Sequence, residues 1–398
     1  RRLVAPVSSR AYPRAMPPPP LIYLLAGEHS GDVLGARMMA AIRRQRPEVT
    51  FAGVGGQLME AQGLSSLFPM HELAVMGLLE ILPRIRRLSR LLGAAEADIR
   101  ARRPAVLVTI DSPGFALRLL RRLSDTGFPR VHYVAPQVWA WREHRVRGFP
   151  GLWDKLLCLL PFEVEFFARH GLPATFVGHP VLESGADTGD AARFRAHHGL
   201  ARDAKVVIFM PGSRRTEVGR LLPVFRDTFA HLAAQRGDVV AVVPVASAVE
   251  ATVRRAVQDW AIPPIVIADI ADKHDAYAAA AAALTKSGTS TLELAIAGVP
   301  MAVTYRVNPI TALMARRLIR VPHVAMVNLL AQREIVPELL QQDCRPRQLV
   351  ATLDTLLDNA DAADEQRQSF REIVATLRAP NNALPSDMAA AEILAILP

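Results

Sequence analysis

A short apolar run, a turn containing glycine or small polar residues, and a helix-compatible stretch follow one another repeatedly along this chain. Leu21–Ala26 ends at Gly27 and leads through Gly31 into a helical pattern over 32–46, and Thr50–Val54, 105–110 (ending on Asp111) and 131–134 begin similar units. Runs that are apolar throughout, rather than at alternate positions, suit strands covered on both faces. The alternation therefore predicts a parallel sheet with helices on both sides. Segment 182–192, with its Gly, Asp, Thr and Ser, reads as a linker, and the pattern restarts with strands at 206–210, 239–243 and 265–268. A length of 398 residues agrees with two domains, at roughly 100–200 residues each. The expected division is an extension over 1–20, α/β domains over 21–185 and 186–347, and a strand-free helical tail over 348–398.

Residues 1–20 carry Arg, Ser and the run Pro17 to Pro20, which cannot pack a core. They lack the apolar stretch of about 7–15 residues that an export signal needs, and Met16 is a candidate start. Cys158 and Cys344 have no metal-ligand or disulfide spacing, so a reducing, cytoplasmic compartment is expected. No apolar run approaches the roughly 20 residues of a membrane span. The net charge of +9 favours anionic partners: nucleic acid, lipid head groups or a phosphorylated substrate. An aromatic content of 6% is a poor endowment for base stacking, which argues against nucleic acid.

Two turns of the second domain suit phosphate. Strand 206–210 runs into Pro211-Gly212-Ser213-Arg214-Arg215-Thr216-Glu217-Val218, where free N–H groups at a helix start and the Arg214 guanidinium would meet an anion. The plain alternative is a turn with a solvated Arg pair. Lys286-Ser287-Gly288-Thr289-Ser290-Thr291-Leu292-Glu293 offers a second such turn, with Glu293 placed to accept from ribose hydroxyls, or else a Ser/Thr cap with a first-turn acid. Both turns belong at carboxyl ends of strands, where open α/β sheets bind ligands.

On the first domain, Gly27-Glu28-His29-Ser30-Gly31-Asp32 and Asp111-Ser112-Pro113-Gly114-Phe115 end strands and should face one cleft. Asp32 either caps the following helix or acts in catalysis. Asp111 follows an apolar strand, and Pro113 disfavours a helical Ser112, so its carboxylate suits a general base. Trp139 and Trp141 beside Arg142 offer indole faces for sugar or acyl contact, or pack beneath a loop, whereas His179 reads as structural. No motif for a metal is present. Segment 73–92 mixes Leu, Ile and Met with Arg84, Arg86, Arg87 and Arg90, as an interfacial membrane surface does, or else forms a core helix broken at Pro83.

Taken in order, AGEHSGD (26–32), FAGVGGQLM (51–59), MGLLEILPRI (76–85), TIDSPGF (109–115), APQVWAWR (135–142), PFE (161–163), VGHPV (177–181), PGSRRTEV (211–218), SGTSTLE (287–293) and NLLAQREIVPELLQ (328–341) resemble the lipid-A-disaccharide synthase family, GT-B glycosyltransferases of family 19. Gly114 stands where that family commonly has a second Asp, His29 where a small residue is usual and Gln332 where Gly is usual. The resemblance implies two Rossmann-like, doubly wound α/β domains with a C-terminal helical tail. It also implies inverting transfer of 2,3-diacylglucosamine from its UDP derivative to 2,3-diacylglucosamine 1-phosphate, with no cofactor and no metal. In that reading Asp111 is the base and Glu28, Ser30 and Asp32 line the acceptor side. Gly212, Ser213, Arg214, Ser287, Gly288 and Thr289 stabilise the departing diphosphate, Glu293 holds the ribose, and Asn328 and Glu334 lie near the nucleotide. A peripheral place on the inner face of the Gram-negative inner membrane is implied as well.

Two rivals remain. Another UDP-sugar enzyme of the same architecture, an N-acetylglucosaminyltransferase or an epimerase, would keep the nucleotide turns without needing the 73–92 surface. A non-enzymatic binder of nucleic acid or anionic membrane would leave Asp111 and Glu293 without purpose. The helices after Gln348 either return to the first domain or pair with a second copy in a homodimer.

Overall fold

The computed structural model describes residues 19–73, 85–140, 143–308 and 321–397. Most of 73–92, together with Trp141, Arg142 and nearly all of the 1–20 extension, lies outside them. Twelve strands are present among the described residues: β1 Leu21–Ala26, β2 Thr50–Val54, β3 Val106–Ile110, β4 Arg130–Tyr133, β5 Lys155–Cys158, β6 Ala174–Phe176, β7 Lys205–Met210, β8 Val239–Pro244, β9 Ile265–Ile267, β10 Ala280–Lys286, β11 Met301–Tyr305 and β12 Glu338–Leu340. They form two six-stranded sheets, ordered β2-β1-β3-β4-β5-β6 and β12-β11-β10-β7-β8-β9. The pairings within both are parallel. This is the expected two-domain, doubly wound α/β architecture of GT-B enzymes.

The strand order reverses between β1 and β3 in the first sheet and between β7 and β10 in the second. At such a switch point the loops leaving the two central strands diverge to opposite faces and open a crevice at the strands' carboxyl ends. By packing, the chain divides into one compact unit of residues 1–133, 152–154 and 390–398 and another of 134–151 and 155–389. Within the second unit, β7 shows why its run is apolar throughout. Val206 and Ile208 enter a core with Leu292, Met301 and Phe370, while Val207 and Phe209 enter the opposite one with Phe225, Trp260 and Leu349.

The Ala-rich stretch 276–284 divides between the end of helix Ile270–Ala279 and β10, whose pairing with β7 shifts register between Ala280 and Ala282. The tail contains helices Pro346–Asp358, Ala360–Thr376 and Pro385–Leu394. Its last residues belong to the first unit, where Ile396 lines a cavity with Arg100, Pro104 and Phe128.

Candidate active site

In the first unit, parallel pairing of β1 with β3 sets Ala26 opposite Ile110, so the turns at Glu28 and Asp111 leave the sheet side by side. They are in close contact: a Cβ on Gly27 would strike the Ser112 hydroxyl, which accounts for glycine there. Asp111 and Ser112 have φ of 51° and 47°, left-handed backbone that non-glycine residues seldom adopt. Two such residues in succession are strain held in place by their surroundings, a common property of functional turns. The Asp111 N–H donates to the Tyr133 carbonyl at 2.9 Å. Burial raises the Asp111 carboxyl above its usual range, and its hydrogen bond from the Ser112 backbone only partly opposes this. A carboxylate destabilised by desolvation is a better proton acceptor.

Glu28 is half-buried and Ser30 exposed at the start of helix His29–Gln45. Asp32 does not cap that helix; it lies inside its first turn and caps another. Its Oδ1 accepts from Gly56 N at 2.9 Å and Met59 N at 3.0 Å, and its Oδ2 from Leu58 N at 3.1 Å. Gly56 is required by this approach, since a Cβ there would lie 2.5 Å from Oδ2. With its carboxylate committed to three backbone donors and only 2% exposed, Asp32 anchors helix Gln57–Ala61 to the turn that follows β1. A cavity of about 620 Å³ beside it is lined by His29, Gly55, Leu58, Leu67 and Met70.

In the second unit, the turns after β7 and β10 line one cavity of about 470 Å³, into which Gly212, Ser213, Arg214, Gly288 and Thr289 all bring atoms. Glu217, Lys273 and Lys286 line it as well. Two of the amides expected to be free, those of Ser213 and Arg214, are engaged. Glu217 Oε2 accepts from Ser213 N at 3.2 Å and Arg214 N at 3.3 Å, and Oε1 accepts from Arg214 Nη1 at 3.2 Å and pairs with Lys286 Nζ at 3.1 Å. The Gly212 φ of 109° brings the turn so close that a Cβ would lie 2.5 Å from Glu217 Oε2.

Ser287 also departs from expectation. Its hydroxyl donates to the Val324 carbonyl at 2.7 Å and its N–H to that of Thr304 at 3.3 Å, so it fastens the turn. Of the alternative, the first-turn acid is present as Glu293, but Thr289 makes no side-chain cap bond. Glu293 instead accepts at Oε2 from Lys273 Nζ at 3.1 Å and from the Tyr277 hydroxyl at 3.0 Å. Burial and the Glu293 charge push the Tyr277 hydroxyl well up, which keeps it a donor.

Asn328 is fully buried and saturated. Its amide nitrogen donates to Val336 O at 2.8 Å and Glu338 Oε1 at 2.9 Å, and its oxygen accepts from Ile335 N at 2.8 Å and Val336 N at 2.9 Å. It shapes the 329–336 loop and offers nothing to a ligand. Glu334 is exposed and lines a separate cavity of about 450 Å³ with Arg333, Ile335 and Gln366. Gln332 ends helix Met326–Ala331 with φ 53°, the left-handed conformation that explains why glycine is usual there.

Trp139 packs edge-on against Phe162 and donates Nε1 to Glu163 at 3.0 Å. His179 is buried, accepts from Val181 N at 3.1 Å and is held down to about 4 by burial. His197, His198 and Asp272 bring potential metal-ligand atoms within 4.8 Å of one another, but none of them lines the cavity between the two turns.

Comparison with known proteins decides the family. The family described as Lipid-A-disaccharide synthetase matches residues 22–393. The chain belongs to the lipid-A-disaccharide synthase family. It is therefore a glycosyltransferase. Among relatives named Lipid-A-disaccharide synthase, that of Granulibacter bethesdensis is 62% identical over 95% of this chain and 99% of its own. That of Gluconobacter oxydans is 59% identical over 95% and 91%. Of solved structures, a putative UDP-N-acetylglucosamine 2-epimerase from Listeria monocytogenes superposes with a TM-score of 0.62 at 15% identity, covering 94% of each chain. A calicheamicin glycosyltransferase gives 0.59 at 17% identity, covering 95% of this chain and 98% of its own. At these identities the two structures support the fold alone.

Both turns that line this cavity were legible in the sequence, but Glu217 and Lys286 had no role there, although both stood within the quoted motifs. Lys273 and Tyr277 carried no local signal, because they reach Glu293 from the preceding helix.

Proposed function

We propose that this enzyme transfers the 2,3-diacylglucosaminyl group of its UDP derivative to the 6-hydroxyl of 2,3-diacylglucosamine 1-phosphate, with residues 21–185 serving the acceptor and 186–347 the UDP-sugar. Asp111 takes the acceptor proton as the hydroxyl oxygen attacks the anomeric carbon from the side opposite UDP. The bond from that carbon to the diphosphate oxygen breaks, giving the inverted β-1′,6 linkage, and the electron pair leaves on the diphosphate. Arg214 and the turns at Gly212–Ser213 and Gly288–Thr289 receive that charge, a form of preorganised electrostatic stabilisation. Glu293, oriented by Lys273 and Tyr277, accepts from the ribose hydroxyls.

The observation that carries this reading is the cation-lined cavity at the β7–β10 switch point, in a chain matched by the family over 22–393. Incubating the purified chain with both diacylated substrates should give the disaccharide 1-phosphate and UDP by mass spectrometry. Turnover of UDP-sugar without an acceptor would favour the epimerase reading instead.

The substrates' acyl chains and the apolar, Arg-bearing 73–92 segment support a peripheral place on the inner face of a Gram-negative inner membrane. No helix among the described residues is long and apolar enough to cross a membrane. Replacing Met76, Leu78 and Leu79 by Ser should weaken binding to anionic vesicles and leave UDP affinity intact. A folded triple variant with unchanged vesicle binding would refute that placement.

A further inference from the structure

Glu217 has a place that the transfer reaction alone does not explain. Its carboxylate collects two backbone N–H groups, a guanidinium and an ammonium, all at 3.1–3.3 Å. That is the donor set expected around a bound phosphate, filled by the protein's own anion. Lys286 closes the set from β10, the strand on the far side of the switch point. Its Nζ lies over the Tyr305 ring, 5.6 Å from the centroid, and 3.7 Å from where a Gly288 Cβ would be. The ammonium thus lies beside both phosphate turns, with an aromatic face to hold it when its carboxylate partner changes.

We propose that Glu217 is a built-in stand-in for the diphosphate, and that Lys286 passes from Glu217 to the diphosphate of the bound nucleotide as a further cation on the leaving group. This rests on the reading that the cavity binds a UDP-sugar. Glu217 keeps the amides and both cations gathered and partly neutralised, and the nucleotide exchanges one anion for another. A charge-assisted contact made by Lys286 in the complex is worth about 10- to 100-fold in affinity.

The test is a double-mutant cycle on the full chain, with UDP and uridine binding measured by calorimetry for wild type, Lys286→Met, Glu217→Gln and the double variant. Lys286→Met should weaken UDP binding about 10- to 100-fold, leave uridine binding unchanged, and cost at least as much in the Glu217→Gln background, where no ion pair with Glu217 has to be given up on binding. If Lys286 serves only to hold Glu217, its loss will cost nothing once Glu217 is neutral, and the proposal falls. It also falls if Lys286→Met binds UDP as wild type does, or if uridine binding declines in parallel. Wild type that binds uridine but gains nothing from the diphosphate would overturn the underlying reading of the cavity together with the proposal.

Discussion

Replacing Asp111 by Asn separates the chemistry of this carboxylate from its backbone. Asp111 is left-handed at φ 51°, and Asn is, after glycine, among the residues that best tolerate that region. Asn also keeps the size and the hydrogen-bonding oxygen of Asp, so the strained turn and its contact with Gly27 should survive, with stability changed by no more than about 1 kcal/mol. An amide cannot accept the acceptor's proton. Losing a general base costs about 10²–10⁴ in rate, or roughly 2.7–5.4 kcal/mol of barrier. We expect kcat to fall by that factor while the UDP dissociation constant stays within about twofold, a change of roughly 0.4 kcal/mol. Asp111→Ala should lose as much activity and also about 1 kcal/mol of stability, because Ala is poorly suited to left-handed backbone. Burial raises the Asp111 carboxyl, so wild-type turnover should fall on acidification at a higher pH than an ordinary Asp, near 3.9, would dictate. Asp111→Asn should remove that limb. Retention of near-normal turnover by folded Asp111→Asn would remove Asp111 from the mechanism and turn attention to Glu28.

Arg214→Ala should weaken UDP binding about 10- to 100-fold, and an unchanged dissociation constant would show that the turn is only structural. Gln332→Gly should raise the urea midpoint by an amount equivalent to about 0.5–1 kcal/mol, since Gln332 has φ 53°; a lower midpoint would refute the strain argument. His132 is fully buried and held by desolvation at about 4 rather than 6.5. The unfolded chain therefore binds the proton first, and stability is lost as pH falls from about 6.5 towards 4, by about 2 kcal/mol at pH 5. His132→Phe should shrink the difference in unfolding free energy between pH 7.5 and pH 5 by that amount, and an unaltered difference would refute the assignment. Glu163, raised by burial to about 7, works in the opposite sense, so the comparison must be made variant by variant.

The sequence by itself determined where the candidate turns lie. Apolar runs such as 106–110 and 206–210 are local signals, and the turns that end them, at Asp111 and at Gly212–Arg214, inherit their position at the sheet's carboxyl edge. Gly27 and Gly212 were legible as turn residues, but what makes them necessary is a neighbour. Ser112 lies across the β1–β3 pairing from Gly27, and the Glu217 carboxylate folds back over Gly212. The roles of single side chains depended on distances the sequence does not encode locally. Asp32 finds its donors 24–27 residues downstream, because β2 returns beside β1 and brings the start of the next helix to it. Lys273 and Tyr277 reach Glu293 across 20 and 16 residues, and Lys286 meets Glu217 only because β10 lies beside β7. Asn328 falls in a motif that pointed towards the nucleotide, yet its amide is spent on the backbone of its own loop. A hydrogen-bonding group takes the partner that packing brings within reach, and strand order decided that here.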